Sequence, residues 1–327
     1  MISLVPTSDQ MLVADAIGSF LARNAPLDRL RQATNGTDPV AFPQLGELGL
    51  LAVMCSEDAG GQGAVEQALA FFEAGKVLLT PTAASTALAA ALSEIAGDAA
   101  LNQALTTGAA VVPFVLPGPD ASAYVLGPAP DGLGLLLREQ RLELLDLRGL
   151  VADDCLDESV AGGRADLGSS PRRLAAESPA LLNGAALVLA AMLSGLAEIA
   201  KALATEYAKV RVQFGQPIGA FQAVKHRCAD MAVAAEGAWR QTSYAAVGLA
   251  AGYPSVEFHL QAALAKSLSA ATVNAASCVQ VHGGMGFTAD CHAHRLVKRA
   301  RLLSILAENS LLDRARLMGE APPAWPP

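Results

Sequence analysis

The chain has 327 residues and a formal net charge of −8, with 52% hydrophobic and only 17% charged residues. That length allows a large core, and the scarcity of charge predicts a subunit that hides apolar faces in an oligomer. The acidic balance, with no basic run and no basic patch interleaved with aromatics, excludes nucleic acid as a partner and leaves any anionic ligand dependent on a local cationic site.

The first ten residues, "MISLVPTSDQ", have no basic n-region and no apolar h-region, so no secretory signal is expected. Residues 8–24 predict an amphipathic helix, with Ser8 as N-cap and Val13, Ala16, Ile17, Phe20 and Leu21 at helical spacing. "FPQLGELGLLAVM", the turn-rich "SEDAGGQGA", the helix "VEQALAFFEAGKVLL" and an Ala/Leu-rich helical stretch at 83–107 complete a helical domain over 1–109. The pattern changes near residue 110. "AAVVPFVL", "SAYVLGP", "GLGLLLR" and "RLELLDL" read as short strands, ending by about Ser159, with "GGRADLGSSPRR" as a linker. This gives a reduced β domain and linker over 110–175. From 176 to 327 the chain is helical again, with helices at about 178–210, 219–251, 254–281 and 289–317, the sizes of a four-helix bundle. "PPAWPP" reads as a frayed tail. The uncharged run Pro179–Ala197 is nearly long enough to span a bilayer. Asn183, Gly184 and Ser194 dilute it, Glu198 and Lys201 continue its phase, and no aromatic belt flanks it, so a buried bundle helix and no membrane are expected. Cys55, Cys155, Cys228, Cys278 and Cys291 are scattered, without metal-ligand spacing, which predicts reduced thiols in a cytoplasmic protein and no metal.

Two breaks interrupt the bundle pattern where chemistry could enter. In "RVQFGQPIGAFQAVKHRCADM", Arg211, Gln213 and Phe214 end one long helix, Gly215, Pro217 and Gly219 turn the chain, and Phe221 and Gln222 begin the next. A planar guanidinium binds phosphate bidentately, and an aromatic can cover a base. In "QVHGGMGFTAD", Gln280 precedes paired glycines, Gly283 and Gly284, which let a ligand approach the backbone. Each break by itself is also an ordinary helix end, with Arg complementing the dipole and Gly as a cap. Neither is a P-loop or a GxGxxG fingerprint.

"RVQFGQPIGAFQAVKHRCADM" and "QVHGGMGFTAD" closely resemble the two signatures of the acyl-CoA dehydrogenase family, and "LGELGLLAV…EDAGGQG…FFEAGKVL" resembles its N-terminal domain. The resemblance covers nearly the whole chain. It implies a mostly α fold with a small β domain: N-terminal helical domain, truncated middle β domain and C-terminal four-helix bundle. It also implies FAD, with Arg211, Gln213, Phe214, Gln222, Gln280, Gly283 and Gly284 contacting the adenine and diphosphate of a flavin seated in the neighbouring subunit. The acyl-CoA substrate and an acceptor such as electron-transfer flavoprotein come with the family.

The chain departs from the family where the reaction needs a carboxylate base beside the substrate α-carbon. Counting from Arg295, the usual base position falls on Ala307; counting back from "RVQFG", the other family position falls on Ala185. Glu308 is one residue off, a rotation of about 100° on a helix, and reads equally as a solvated glutamate. Glu257 and His259 are further candidates, although Glu257 also suits an ordinary helix start. The Thr-Glu-Pro, Gly-Ser-Asp and Trp-x-Thr/Ser elements that hold the ring in the family are missing from "PFVLPGPDASAYVLGP". This asymmetry resembles the short subunit of heteromeric, α2β2 bacterial acyl-CoA dehydrogenases, such as those that shorten steroid side chains, with a full-length partner supplying the ring site. A self-sufficient homo-oligomeric dehydrogenase, a flavin monooxygenase of the same fold and a non-catalytic scaffold subunit stay open as alternatives.

Overall fold

The computed structural model describes residues 5–33, 38, 40–138 and 141–313. The tail "PPAWPP" lies outside the described residues, and the fourth bundle helix, expected to run to 317, ends at Ser310. Helix α1 (Ser8–Asn24) is capped by Thr7, one residue before the expected cap Ser8. The Thr7 side chain accepts from the Gln10 N–H while the Gln10 side chain accepts from the Thr7 N–H, so two end donors are satisfied reciprocally. α2 (Phe42–Glu47), α3 (Ala64–Lys76), α4 (Pro81–Ile95) and α5 (Ala99–Thr106) follow. α4 is buried from Pro81 to Ser93. Its Ala, Ser and Thr side chains are small enough for neighbours to close in on every side.

Among the described residues one sheet holds seven strands: β1 (Phe114–Pro117), β2 (Ser122–Leu126), β3 (Leu133–Arg138), β4 (Arg141–Asp146), β5 (Val151–Asp153), β6 (Gly162–Asp166) and β7 (Arg172–Ala176). Their order is β5-β6-β2-β1-β3-β4-β7, with β1 and β3 parallel and the other neighbours antiparallel. The expected linker "GGRADLGSSPRR" is therefore β6, a turn and the start of β7, and the sheet runs past Ser159 to Ala176. β6 pairs with β2 over five positions, from Ser122↔Asp166 to Leu126↔Gly162. It buries only Gly163 and Ala165, so it carries no hydrophobic signal; pairing with a neighbour, not propensity, makes it a strand. β7 is fastened to β4 by Arg172, which pairs with the buried Glu143 at 2.8 Å.

The bundle consists of α6 (Pro179–Val210), α7 (Gln222–Ala250), α8 (Val256–His282) and α9 (Ala293–Ser310). α6 is the one described helix long and apolar enough to cross a membrane, and 83% of its apolar window is buried. It is the central core helix, packed on α3, α7 and α8. Inside the bundle Ser194, Thr242 and Ser267 close a triangle of hydroxyls at 2.9–3.2 Å, one from each of three helices. Satisfied buried polar groups of this kind fix helix register.

A second buried polar knot ties the three regions together. The turn between α3 and α4 places Leu78 at φ +50 and leaves the carbonyls of Val77, Leu78 and Leu79 pointing inward. Two guanidiniums satisfy them. Arg29 donates to Val77 O at 2.7 Å and Leu78 O at 3.0 Å; Arg299, from α9, donates to Leu78 O at 2.5 Å and Leu79 O at 2.6 Å. Each arginine is paired with an aspartate, Arg29 with Asp38 at 2.8 Å and Arg299 with Asp157 at 2.6 Å, and all four side chains are at most 6% exposed. Asp157 sits between β5 and β6, so one ion pair joins sheet, bundle and N-terminal helices.

Candidate functional site

α6 ends where its Arg211 cap donates N–H to Tyr207 O at 2.9 Å. The next residues form a miniature hairpin, β8 (Val212–Gln213) against β9 (Gln216–Pro217). Its two turn residues, Phe214 (φ +54) and Gly215 (φ +80), both lie in the left-handed region, as a tight hairpin of this hand requires. Glycine adopts that region freely; for a phenylalanine it costs on the order of 1–3 kcal/mol. At this turn the Phe214 ring stands in solvent, 92% exposed and edge-on to Phe221 at 6.1 Å. Arg211 is exposed and makes no ion pair among the described residues. Gln213 donates to its neighbour Val212 O, and Gln222, first residue of α7, is exposed.

The second break meets the first. Tyr207 on α6 stacks on His282 on α8, with ring centroids 4.2 Å apart and planes 22° from parallel. His282 Nδ1 is fixed at 2.8 Å from Cys278 O. Gln280 is exposed one turn before the 3-10 turn Gly283–Phe287. A Cβ built on Gly283 or Gly284 would meet nothing within 4 Å, so the backbone of the loop is open there. Arg211, Gln213, Phe214, Gln222, Gln280, Gly283 and Gly284 thus all stand at one end of the bundle. Around them Val210, Val212, Met285 and Phe287 are 45–77% exposed, an apolar rim without cover in the lone chain. The Tyr207–His282 stack was not foreseen. Its only sequence trace is a ring four residues before Arg211 and another just before the glycine pair.

The base positions lie at the other end. Ala185 on α6 and Ala307 on α9 are both fully buried. Beside them a cleft of about 330 Å³ is lined by Asn183, Gln261, Glu257 and Glu308, among others. Glu257 and Glu308 are therefore brought together. His259 is not part of that lining: its ring meets Tyr244 at 4.6 Å, and burial holds its pKa below the usual histidine value. Ala185 and Arg211 are separated by about 39 Å of helix, at 1.5 Å per residue. The cysteines are all free. Burial pushes the Cys55 thiol up to about 11 and Cys278 up to about 12, which keeps both protonated and unreactive. Among the described residues no group of three or more His, Cys, Asp or Glu could hold a metal ion.

The acyl-CoA dehydrogenase N-terminal domain model matches residues 7–109, and the acyl-CoA dehydrogenase C-terminal domain model matches residues 178–310. Acyl-CoA dehydrogenase IpdE2 of Mycobacterium tuberculosis is 30% identical over 325 residues, 97% of this chain and 98% of that protein. Acyl-CoA dehydrogenase FadE34 of the same organism is 36% identical over 282 residues, 79% of this chain but 39% of that protein. The chain therefore spans nearly all of one relative and under half of the other. In the crystal structure of the ChsE4-ChsE5 complex from Mycobacterium tuberculosis, one chain superposes with a TM-score of 0.78 at 20% identity, covering 98% of this chain and all of that one. That likeness carries the fold: helical N-terminal part, small sheet and helical bundle. On both domain models and the full-length match, the chain belongs to the acyl-CoA dehydrogenase family, oxidoreductases that act on acyl-CoA thioesters.

Proposed function

We propose that this chain is the smaller subunit of a cytoplasmic, FAD-dependent acyl-CoA dehydrogenase that works as a heteromer with a second, full-length subunit, α2β2 in composition. Its role is to hold the adenine and diphosphate end of a flavin whose ring lies in the partner. One observation carries the reading: the free guanidinium and open glycine cradle stand at one end of α6, and both base positions at the other. The span of about 39 Å between them is more than one dinucleotide can bridge inside a single copy. A ring site and a base at the Arg211 end then come from another chain, and with buried alanine at both base positions of this one, that chain is an unlike subunit in this reading.

The residues present fit the nucleotide. Arg211 offers a planar fork to phosphate. The missing side chains of Gly283 and Gly284 let a diphosphate approach backbone N–H groups. Gln213, Gln222 and Gln280 supply amide donors and acceptors, and the strained Phe214 presents an apolar face for a base or for the partner. When bound, the flavin would accept the substrate's β-hydrogen as hydride while a base removes the α-proton. An electron-transfer flavoprotein is the proposed acceptor, from the family resemblance, and an acyl group on a steroid side chain the proposed substrate, from the likeness to short subunits of heteromeric dehydrogenases. Gly284→Val should leave folding unchanged, because no atom stands where its Cβ would go. It should lower flavin per chain in the complex, read by visible absorbance.

A second reading, a self-sufficient enzyme, draws on the cleft that Glu257 and Glu308 share. Glu308→Gln in the complex separates the two. If the partner supplies the base, flavin bleaching by a substrate acyl-CoA stays within about twofold of wild type. A drop of about 10²–10⁴-fold, the size of a lost general base, would make Glu308 the base and this chain catalytic.

A further inference from the structure

Each of the two helix breaks is fastened to its own helix. The Arg211 N–H donates to Tyr207 O, one turn back on α6, and Arg211 O accepts from the Ile218 N–H at 2.8 Å, which closes the hairpin onto the helix end. On α8 the Gly283 N–H donates to the carbonyls of Val279 and Gln280. The turn Gly283–Phe287 then folds back so closely that a Cβ on Gly286 would stand 2.8 Å from Val279 O and 3.2 Å from His282 Cβ. None of these contacts fixes one break relative to the other.

Tyr207 and His282 supply that connection, with ring centroids 4.2 Å apart and planes 22° from parallel. Each ring stands at the root of one break. Tyr207 carries the carbonyl that holds Arg211, and His282 directly precedes Gly283. The imidazole is not free to turn. Its Nδ1 lies 2.8 Å from Cys278 O, and a carbonyl only accepts, so Nδ1 carries the hydrogen. Tyr207 is half-buried and packs against the main hydrophobic core. Neither the Tyr207 hydroxyl nor His282 Nε2 has a hydrogen-bond partner among the described residues, so the two side chains meet face on face. Rings whose rotamers are locked in this way set a distance between two elements more sharply than flexible side chains do.

We propose that Tyr207 and His282 are a positioning pair. Their stack holds the Arg211 fork and the Gly283–Gly284 backbone at the separation one dinucleotide needs, and it acts through those two arms and not on the ligand. The inference rests on the proposed nucleotide-binding role and adds to it the residues that align the arms. Its physical basis is preorganisation: a ligand gains fully from a second arm only when that arm already stands in place. The two arms are therefore coupled through the stack. A stack that only stabilised the bundle would leave them independent.

The test is the FAD dissociation constant of the heteromeric complex, measured well below its melting temperature. Tyr207→Leu keeps apolar bulk and removes the stack; His282→Asn keeps a donor where Nδ1 stands and removes the ring. Each should weaken FAD by about five- to tenfold, the size of a lost aromatic pair, whereas Tyr207→Phe, which keeps the ring, should stay within about twofold of wild type. Ser267→Ala opens the hydroxyl triangle inside the bundle without touching either break. It should lower the melting temperature and leave FAD binding unchanged. A double-mutant cycle gives the coupling: Arg211→Ala should cost less in the Tyr207→Leu background than in wild type, because a displaced arm has less to lose. Additive losses would overturn the positioning role and leave the nucleotide role intact. So would Tyr207→Leu and His282→Asn that lower the melting temperature yet bind FAD as wild type does, or a Tyr207→Phe as weak as Tyr207→Leu. Undiminished FAD in Arg211→Ala would overturn both roles. If Tyr207→Leu does not fold, His282→Asn carries the cycle.

Discussion

Arg299→Met should destabilise the chain by about 3–5 kcal/mol, the cost of stranding one partner of a buried ion pair. Arg299 and Asp157 are 1% and 2% exposed, so solvent screens nothing. The substitution leaves Asp157 with the Ser159 hydroxyl and N–H as its remaining partners, and it strips a donor from the Leu78 and Leu79 carbonyls. Adding Asp157→Asn should recover part of the loss, because the stranded charge is removed; denaturant unfolding of both single variants and the double variant gives the coupling. The same pair sets an acid dependence. Burial pushes the Asp157 carboxyl up, but the Arg299 charge and the bonds from Ser159 and Arg299 outweigh it and hold it below the usual carboxylate range. The folded state therefore binds this proton less readily than the unfolded chain. The stabilisation is complete above the unfolded value of about 3.9 and is lost as pH falls through the lower folded value. The stability difference between wild type and Asp157→Asn should be full at pH 6 and shrink below about pH 4.

Arg211→Ala should weaken FAD in the complex by about 10- to 100-fold, as expected when a charge-assisted hydrogen-bond pair worth about 1.5–3 kcal/mol is lost. Arg211→Lys should restore only part, since an ammonium cannot present the planar fork. The chain's own stability should move by no more than about 0.5 kcal/mol, because the side chain is exposed and makes no ion pair among the described residues. That combination, flavin lost and fold kept, is specific to a ligand role. Unchanged flavin would favour a scaffold subunit, in which the bundle serves assembly only.

The bundle was legible in the sequence because its helices are long, periodic and bounded by glycine and proline; α6, α7 and α8 fall within about three residues of the pattern at both ends, whereas α9 starts later and ends earlier than expected. β6 and β7 were not legible, since "GGRAD" and "RRLAA" bury few side chains and become strands only through β2 and β4. The nucleotide-end residues were legible one by one, as a cation, glutamines and glycines at helix breaks. That both breaks share one end of the bundle depends on the Tyr207–His282 stack, a contact between residues 75 positions apart with no local signal. The same holds for the Arg299–Asp157 pair, which spans 142 positions. The separation of Arg211 from Ala185 was implicit in helix length, yet it acquires meaning only once α6 is seen to be unbroken from Pro179 to Val210.

The most direct test is flavin absorbance per polypeptide, measured for the chain expressed by itself and for the complex it forms with its full-length partner. A divided site gives a colourless lone chain and a yellow complex holding fewer flavins than polypeptides. One flavin per copy in the lone chain, bleached by an acyl-CoA, would contradict it.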